Sequence, residues 1–253
     1  MKKLLASIAG LVMLPGLALA ADLPVAPAYK APPPPVAPVA NWTGCYVDGG
    51  FGYGLYNETN AFSESGVLYP STTAGGRGWV GTVGGGCDYQ FPVSNLGNFV
   101  VGVLADYDFM NLTGTSELLS SIDNYTANEK ENSAWAVGAR IGFLVTPAIL
   151  AYTNGGYTQT HFDASAIAVT PAFAGYGLTA NTYHGWFLGG GTEIAVKWLP
   201  GLYVRSEYRY STYSTNNVPW TLDGVPQSYY EQANKQVQTI MTALVYKFNW
   251  PGY

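Results

Sequence analysis

Residues 202–210 read Leu-Tyr-Val-Arg-Ser-Glu-Tyr-Arg-Tyr, with a polar group at every second position: Tyr203, Arg205, Glu207 and Arg209. Between them stand Leu202, Val204, Ser206, Tyr208 and Tyr210. A strand turns successive side chains to opposite faces, so this run has one charged face and one apolar, aromatic face. The fold depends on which face is turned outward. In a soluble sheet the charges meet water, whereas in a closed sheet in lipid they face the lumen.

The start of the chain sets the compartment. Met1-Lys2-Lys3 precedes an apolar run from Leu4 to Leu19, and Ala18-Leu19-Ala20 supplies small residues at a cleavage site. This pattern predicts a secretory signal peptide over residues 1–20. The run is short for a spanning helix and is broken by Pro15-Gly16. Residues 21–41 carry a run of prolines that cannot join a sheet, and they are expected to form an extended periplasmic lead. Further on, no stretch reaches the roughly 20 apolar residues that a spanning helix needs.

The chain is nonetheless 15% aromatic and only 11% charged, with 31 glycines. That composition suits strands with one face in lipid and small residues in the lumen. Without Lys2 and Lys3, nine basic residues face 16 acidic ones, a formal charge of about −7. So acidic a chain excludes nucleic acid as a partner.

Short breaks at 92–97, 146–148 and 199–201 alternate with long ones at 57–78, 111–132, 162–181 and 213–234. Antiparallel strands joined this way place every tight turn at one end. Sorted loops of this kind mark an outer-membrane barrel. The expected fold is therefore all-β: an eight-stranded antiparallel up-and-down transmembrane β-barrel over residues 42–248. Short turns are expected in the periplasm and four long loops outside, with a tail at 249–253. The predicted strands are 42–54, 79–91, 99–109, 133–145, 149–160, 183–198, 202–211 and 235–248. Aromatics near their ends, among them Trp42, Tyr53, Trp79, Trp135, Trp186 and Trp198, are expected to form two interfacial girdles.

Parity places one set of charges inward. Its acids are Asp48, Asp88, Asp106, Asp108, Glu193 and Glu207; its bases are Arg140, Lys197, Arg205, Arg209 and Lys247. An eight-stranded barrel is barely wide enough for its own side chains, and unpaired buried charge is costly. The set is expected to pair into a plug, with Asp106 or Asp108 on Arg140 and Glu193 on Arg205. Cys45 and Cys87 fall on neighbouring strands with outward parity, and an exported protein meets an oxidising compartment. A disulfide between them is the favoured expectation, with two free thiols as the alternative. His161, His184 and Asp163 match no strong metal spacing, and no Ser/His/acid arrangement stands out. No enzyme activity, metal or cofactor is expected.

Several stretches resemble a known family. Ala21-Asp22-Leu23-Pro24 before the proline-rich lead, then Trp42-Thr43-Gly44-Cys45-Tyr46-Val47, is similar to the start of alphaproteobacterial outer-membrane immunogenic proteins, small barrels of the "porin family" type. Residues 185–193, Glu207-Tyr208-Arg209-Tyr210 and residues 243–248 resemble the sixth, seventh and closing strands of that family. Cys45 and Asp48 depart from the aromatic and glycine more usual there.

The resemblance implies an abundant surface protein of the cell outer membrane with a structural role. A narrow porin, or a receptor for a loop ligand such as haem, stand as alternatives. It also implies a terminal aromatic, Phe248 or Tyr253, read by the barrel-assembly machinery. Outer-membrane lipid and lipopolysaccharide are the other expected partners, and a monomer the expected state. Loop aromatics such as Tyr69, Tyr125, Phe173, Tyr176, Trp220, Tyr229 and Tyr230 are expected to pack the loops together rather than to hold a ligand.

Overall fold

The computed structural model describes residues 41–119, 124–168 and 174–248. The expected signal peptide, the lead up to residue 40, the tail and Tyr253 lie outside them, as do Phe173 and the side chain of Tyr125. The described chain is all-β and antiparallel. Its strands are β1 (Gly44–Glu64), β2 (Val67–Leu68), β3 (Thr72–Val93), β4 (Gly97–Leu119), β5 (Asn124–Thr146) and β6 (Ile149–Phe162). They continue with β7 (Ser165–Ala168), β8 (Tyr176–Leu178), β9 (Asn181–Ala195), β10 (Leu202–Tyr213), β11 (Asn216–Leu222) and β12 (Val225–Phe248).

Alternation within these strands accounts for the architecture. In β12 every second residue from Glu231 to Lys247 is buried, while Ile240, Leu244, Tyr246 and Phe248 are exposed. The same two-residue period leaves Val47, Phe51, Trp79, Val83, Phe109 and Trp186 on the outside. A sheet that buries its polar face and exposes its apolar face is inverted relative to a soluble one, and only a closed sheet allows this without a bare edge.

Pairing supplies the closure. β1, β3, β4, β5, β6, β9, β10 and β12 pair in that order, and β12 pairs back onto β1. The β1–β12 register runs unbroken from Cys45↔Phe248 to Ser63↔Tyr230. Tight turns at 94–96, 147–148 and 196–201 lie at one end. At the first of them Asn95 and Gly97 take positive φ, a conformation asparagine and glycine tolerate best.

Eight strands are expected and the described residues form twelve. The four short ones, β2, β7, β8 and β11, lie within segments expected to be loops. There β5 pairs with β7, β7 with β8, β8 with β11 and β11 with β12. A second closed path of strands therefore continues beyond the first, sharing β1, β3, β4, β5 and β12. The loop expectation failed because Gly, Asn and Thr in these segments read as turn formers, yet a paired backbone needs no apolar face once it has left lipid.

The two paths meet where three strands break for two residues each, at 163–164, 179–180 and 214–215. Asparagine side chains replace part of the missing ladder. Asn216 Nδ2 donates to Thr182 O at 2.9 Å, Asn234 Nδ2 to Tyr213 O at 2.9 Å, and Asn132 Nδ2 to Asp163 Oδ1 at 2.5 Å.

Inside the extension lies an apolar core built on Tyr56, Phe62, Leu112, Phe162, Tyr183 and Trp220. Tyr69 and Tyr229 pack on Phe62 with ring centroids 5.6 and 5.9 Å apart, and Tyr176 and Tyr229 pack on Trp220 at 6.2 and 5.8 Å. These loop aromatics hold the extension together.

Candidate functional site: charge layers inside the strand ring

Outward aromatics pair across strands just below the extension: Tyr53 with Trp79 at 5.4 Å, Trp135 with Tyr157 at 5.4 Å, and Trp186 with Tyr210 at 6.5 Å. Tyr157 faces outward here while Tyr152 of the same strand is buried, so residues five apart take opposite faces of β6. Trp42 does not belong to a girdle. It precedes β1 but keeps the inward parity of Gly44 and Tyr46, donating its indole N–H to Pro147 O at 3.2 Å and packing on Tyr203 at 4.7 Å. It floors the interior at the tight-turn end.

Above Trp42 lies the first charge layer. Arg140 clamps Asp88 with Nε and Nη2, the former at 2.8 Å, and reaches Glu193 with Nη1 at 3.0 Å. Lys247 Nζ bonds Asp88 at 2.6 Å and Glu193 at 3.0 Å. Arg205 links Glu193 and Asp48, both at 3.1 Å. Three acids thus meet three bases, and the Arg140 and Arg205 guanidiniums lie 4.7 and 4.9 Å from the Tyr46 ring centroid. Glycine makes room for the clamp, since a Cβ at Gly102 would collide with Asp88 Oδ1.

The second layer centres on Arg209, which holds Asp106 with both Nη atoms at 2.7 and 2.8 Å and Glu207 at 3.0 Å. Glu207 Oε2 also accepts from Tyr152 OH at 2.7 Å and Asn154 Nδ2 at 2.9 Å. Asp108 is buried nearby. A cavity of about 30 Å³ bordered by Asp48, Asp106, Arg140 and Arg205 separates the two layers. It is large enough for roughly two water molecules.

Two expectations need correction. Arg140 bonds Asp88 and Glu193, not Asp106 or Asp108, because its row in the sheet is Gly102↔Arg140↔Asn154 and the two aspartates sit higher. Lys197 is exposed and outside the interior, because β9 ends at Ala195 and the alternation lapses in the turn. Glu193 and Arg205 do meet.

The third layer lies in segments that the sequence presents as loops. Lys235 Nζ, fully buried in the extension, bonds Glu58 at 2.7 Å and Glu129 at 2.6 Å and lies 4.2 Å from the Phe162 ring centroid. Glu131, whose Oε1 accepts from Thr160 Oγ1 at 2.6 Å, and Glu231 are buried beside it. Burial lifts the Glu131 carboxyl to about 7 against the pull of Thr160 and Lys235. Burial and the Glu129 charge lift Glu231 to about 8. Burial likewise raises Glu58, whereas the nearby ammonium holds Glu129 below its ordinary value despite burial. Burial alone would lower Lys235, but Glu58 and Glu129 raise it. The two-residue spacing of Glu58 and Asn60, Glu129 and Glu131, and Ala233 and Lys235 was the signal available in the sequence.

Cys45 and Cys87 pair in the β1–β3 register and are joined as a disulfide. His161 Nδ1 lies 3.0 Å from Thr182 Oγ1 and His184 Nδ1 2.6 Å from Tyr157 OH. Among the described residues no three His, Cys, Asp or Glu side chains group to hold a metal.

No family model matches the chain. It is 30% identical over 258 residues to the "31 kDa outer-membrane immunogenic protein" of Brucella melitensis, covering 97% of this chain and 98% of that one. The protein of the same name from Brucella suis matches equally. Among solved structures, the outer membrane protein OprG from Pseudomonas aeruginosa superposes with a TM-score of 0.53 at 10% identity, covering 83% of this chain and 99% of OprG. With an inverted, ring-closed sheet and sequence identity running almost end to end, this chain belongs to the outer-membrane immunogenic protein family and is an outer-membrane β-barrel.

Proposed function

We propose that the chain is a non-enzymatic surface protein whose eight long strands cross the outer membrane around a closed lumen. In this reading the tight turns face the periplasm and the extension stands outside. What carries it is the first charge layer: three acids bonded to three bases over the Trp42 floor. Such a layer holds no surplus charge to draw ions through. Breaking it would leave ions unpaired in a poorly solvated interior, where each is costly. In this first layer the acids and bases bond one another, an arrangement suited to structure rather than to turnover. The extension, with its packed aromatics, is then the part open to the surroundings, in keeping with relatives named for immunogenicity.

The test is electrical. The purified full-length mature protein in a planar bilayer should give no sustained conductance steps. Large, steady steps would establish the narrow-porin reading instead.

Assembly supplies a second check. Phe248 ends β12, faces outward and pairs with Cys45 at the closing seam. The Phe248→Ala variant should reach the outer membrane at several-fold lower levels by fractionation and heat-modifiable gel mobility. Unchanged levels would assign the assembly signal elsewhere.

A further inference from the structure

Basic side chains in the described chain are few and sorted. Arg140, Arg205, Arg209, Lys235 and Lys247 are committed to the interior, and Lys197 is exposed at the tight-turn end. Only Arg77 and Lys130 remain. They share one row of the sheet. Arg77 pairs with Thr113, and Thr113 pairs with Lys130. All three side chains are exposed, on β3, β4 and β5, while their strand neighbours Leu112, Glu129 and Glu131 point inside. With strands about 4.8 Å apart, the two cations stand about 10 Å apart with a hydroxyl between them.

The height of the row matters as much as its charge. Arg77 is two residues beyond Trp79, which is 66% exposed and belongs to the girdle beside the extension. At about 3.3 Å per residue, the guanidinium is anchored one headgroup's depth above the apolar band. Neither cation forms an ion pair with a described side chain. Glu129 and Glu131, which flank Lys130 in the chain, point inside, and on the adjoining segment Asp163 donates its backbone N–H to Lys130 O at 2.9 Å while its carboxylate accepts from the Asn132 amide.

We infer that Arg77, Thr113 and Lys130 form a docking row for the phosphates of lipid A, the membrane anchor of lipopolysaccharide in the outer leaflet. Charge complementarity favours this occupant. In a chain of net acidic charge, two outward cations with no ion pair to a described side chain stand at the lipid boundary and face the one leaflet surface dense in phosphomonoesters. A guanidinium, a hydroxyl and an ammonium in one row offer donors matched to phosphate oxygens.

The inference rests on the orientation proposed above, so the test separates the two. An epitope inserted at the Asp223-Gly224 turn should be read by antibody on intact cells; if it is read only after lysis, the orientation fails and the row faces the wrong leaflet. Binding of bis-phosphorylated lipid A to the refolded mature protein in neutral detergent is then measured for wild type, Arg77→Gln/Lys130→Gln and Lys197→Gln. Folding of each is confirmed by heat-modifiable gel mobility. The double variant should bind about tenfold more weakly, since each cation near an anionic surface contributes several-fold. Lys197→Gln should match wild type, and dephosphorylated lipid A should erase the difference. Inorganic phosphate at millimolar levels should not compete, because the acyl chains hold the headgroup at the row. Equal binding by wild type and double variant, or an equal loss in Lys197→Gln, would overturn the inference.

Discussion

Replacing Arg140 with alanine will destabilise the folded barrel by about 3–5 kcal/mol, the usual cost of removing one member of a buried ion network. The guanidinium touches two carboxylates, Asp88 and Glu193, and lies 4.7 and 5.1 Å from the Tyr46 and Tyr152 ring centroids. Its loss leaves three acids facing two bases. Lys247 and Arg205 already bond the orphaned acids and have no free geometry to replace a two-armed clamp. Arg205→Ala should cost less, because its side chain is 11% exposed against 1% for Arg140, so water more readily solvates what remains. Arg140→Lys, keeping charge without the fork, should fall between the two. Urea unfolding in detergent or bilayers reads all three. An Arg140→Ala cost below that of Arg205→Ala would refute the clamp as the keystone of the layer.

The inward face of Leu202–Tyr210 was legible because a membrane strand keeps strict alternation where lipid enforces it. Leu202, Val204, Tyr208 and Tyr210 share the outward parity and the charged residues the other, so parity alone places Arg205, Glu207 and Arg209 inside. Partner choice was not legible. Parity says which face Arg140 occupies but not its height relative to Asp88, which depends on strand tilt and register; Asp106, close in sequence terms, instead meets Arg209. Lys197 breaks the parity of β9 because it lies beyond the strand's end, where alternation has no force, whereas Trp42 keeps the inward parity of Tyr46 and its place near a strand end is what suggests a girdle. Beyond the girdle the outward face meets water, polar residues appear on both faces, and the sequence looks like loop. The period-two acids of the third layer persist there because the backbone ladder does, even though lipid no longer demands an apolar partner for each.

That third layer carries the last and most distinctive expectation. Glu58, Glu129, Glu131 and Glu231 surround one cation, Lys235, in a space sealed by Tyr56, Phe162 and Tyr183. Full ionisation would leave three uncompensated negative charges, so the folded extension retains protons on its acids. Glu131 and Glu231 titrate near 7 and 8 when folded and near 4.5 when unfolded. A folded value raised above the unfolded one means stability that is complete below about pH 4.5 and is lost as pH rises through the folded values. The extension should therefore be tightest in mild acid and loosen between about pH 5 and 8. It should give way first at the three interrupted strands, where asparagine side chains stand in for the ladder. Protease cleavage at 163–164, 179–180 and 214–215 should accelerate from pH 5.5 to pH 8.5 while the membrane-embedded ring stays intact on a heat-modifiable gel. Glu231→Gln should flatten that dependence. Lys235→Met should steepen it, because the remaining acids then lack a counter-ion unless protonated; its cost should approach about 3–5 kcal/mol at pH 8 and shrink by pH 5.5. A cleavage rate independent of pH, or a Lys235→Met penalty larger in acid than in base, would show that the acids of this layer are ionised and balanced by some other means.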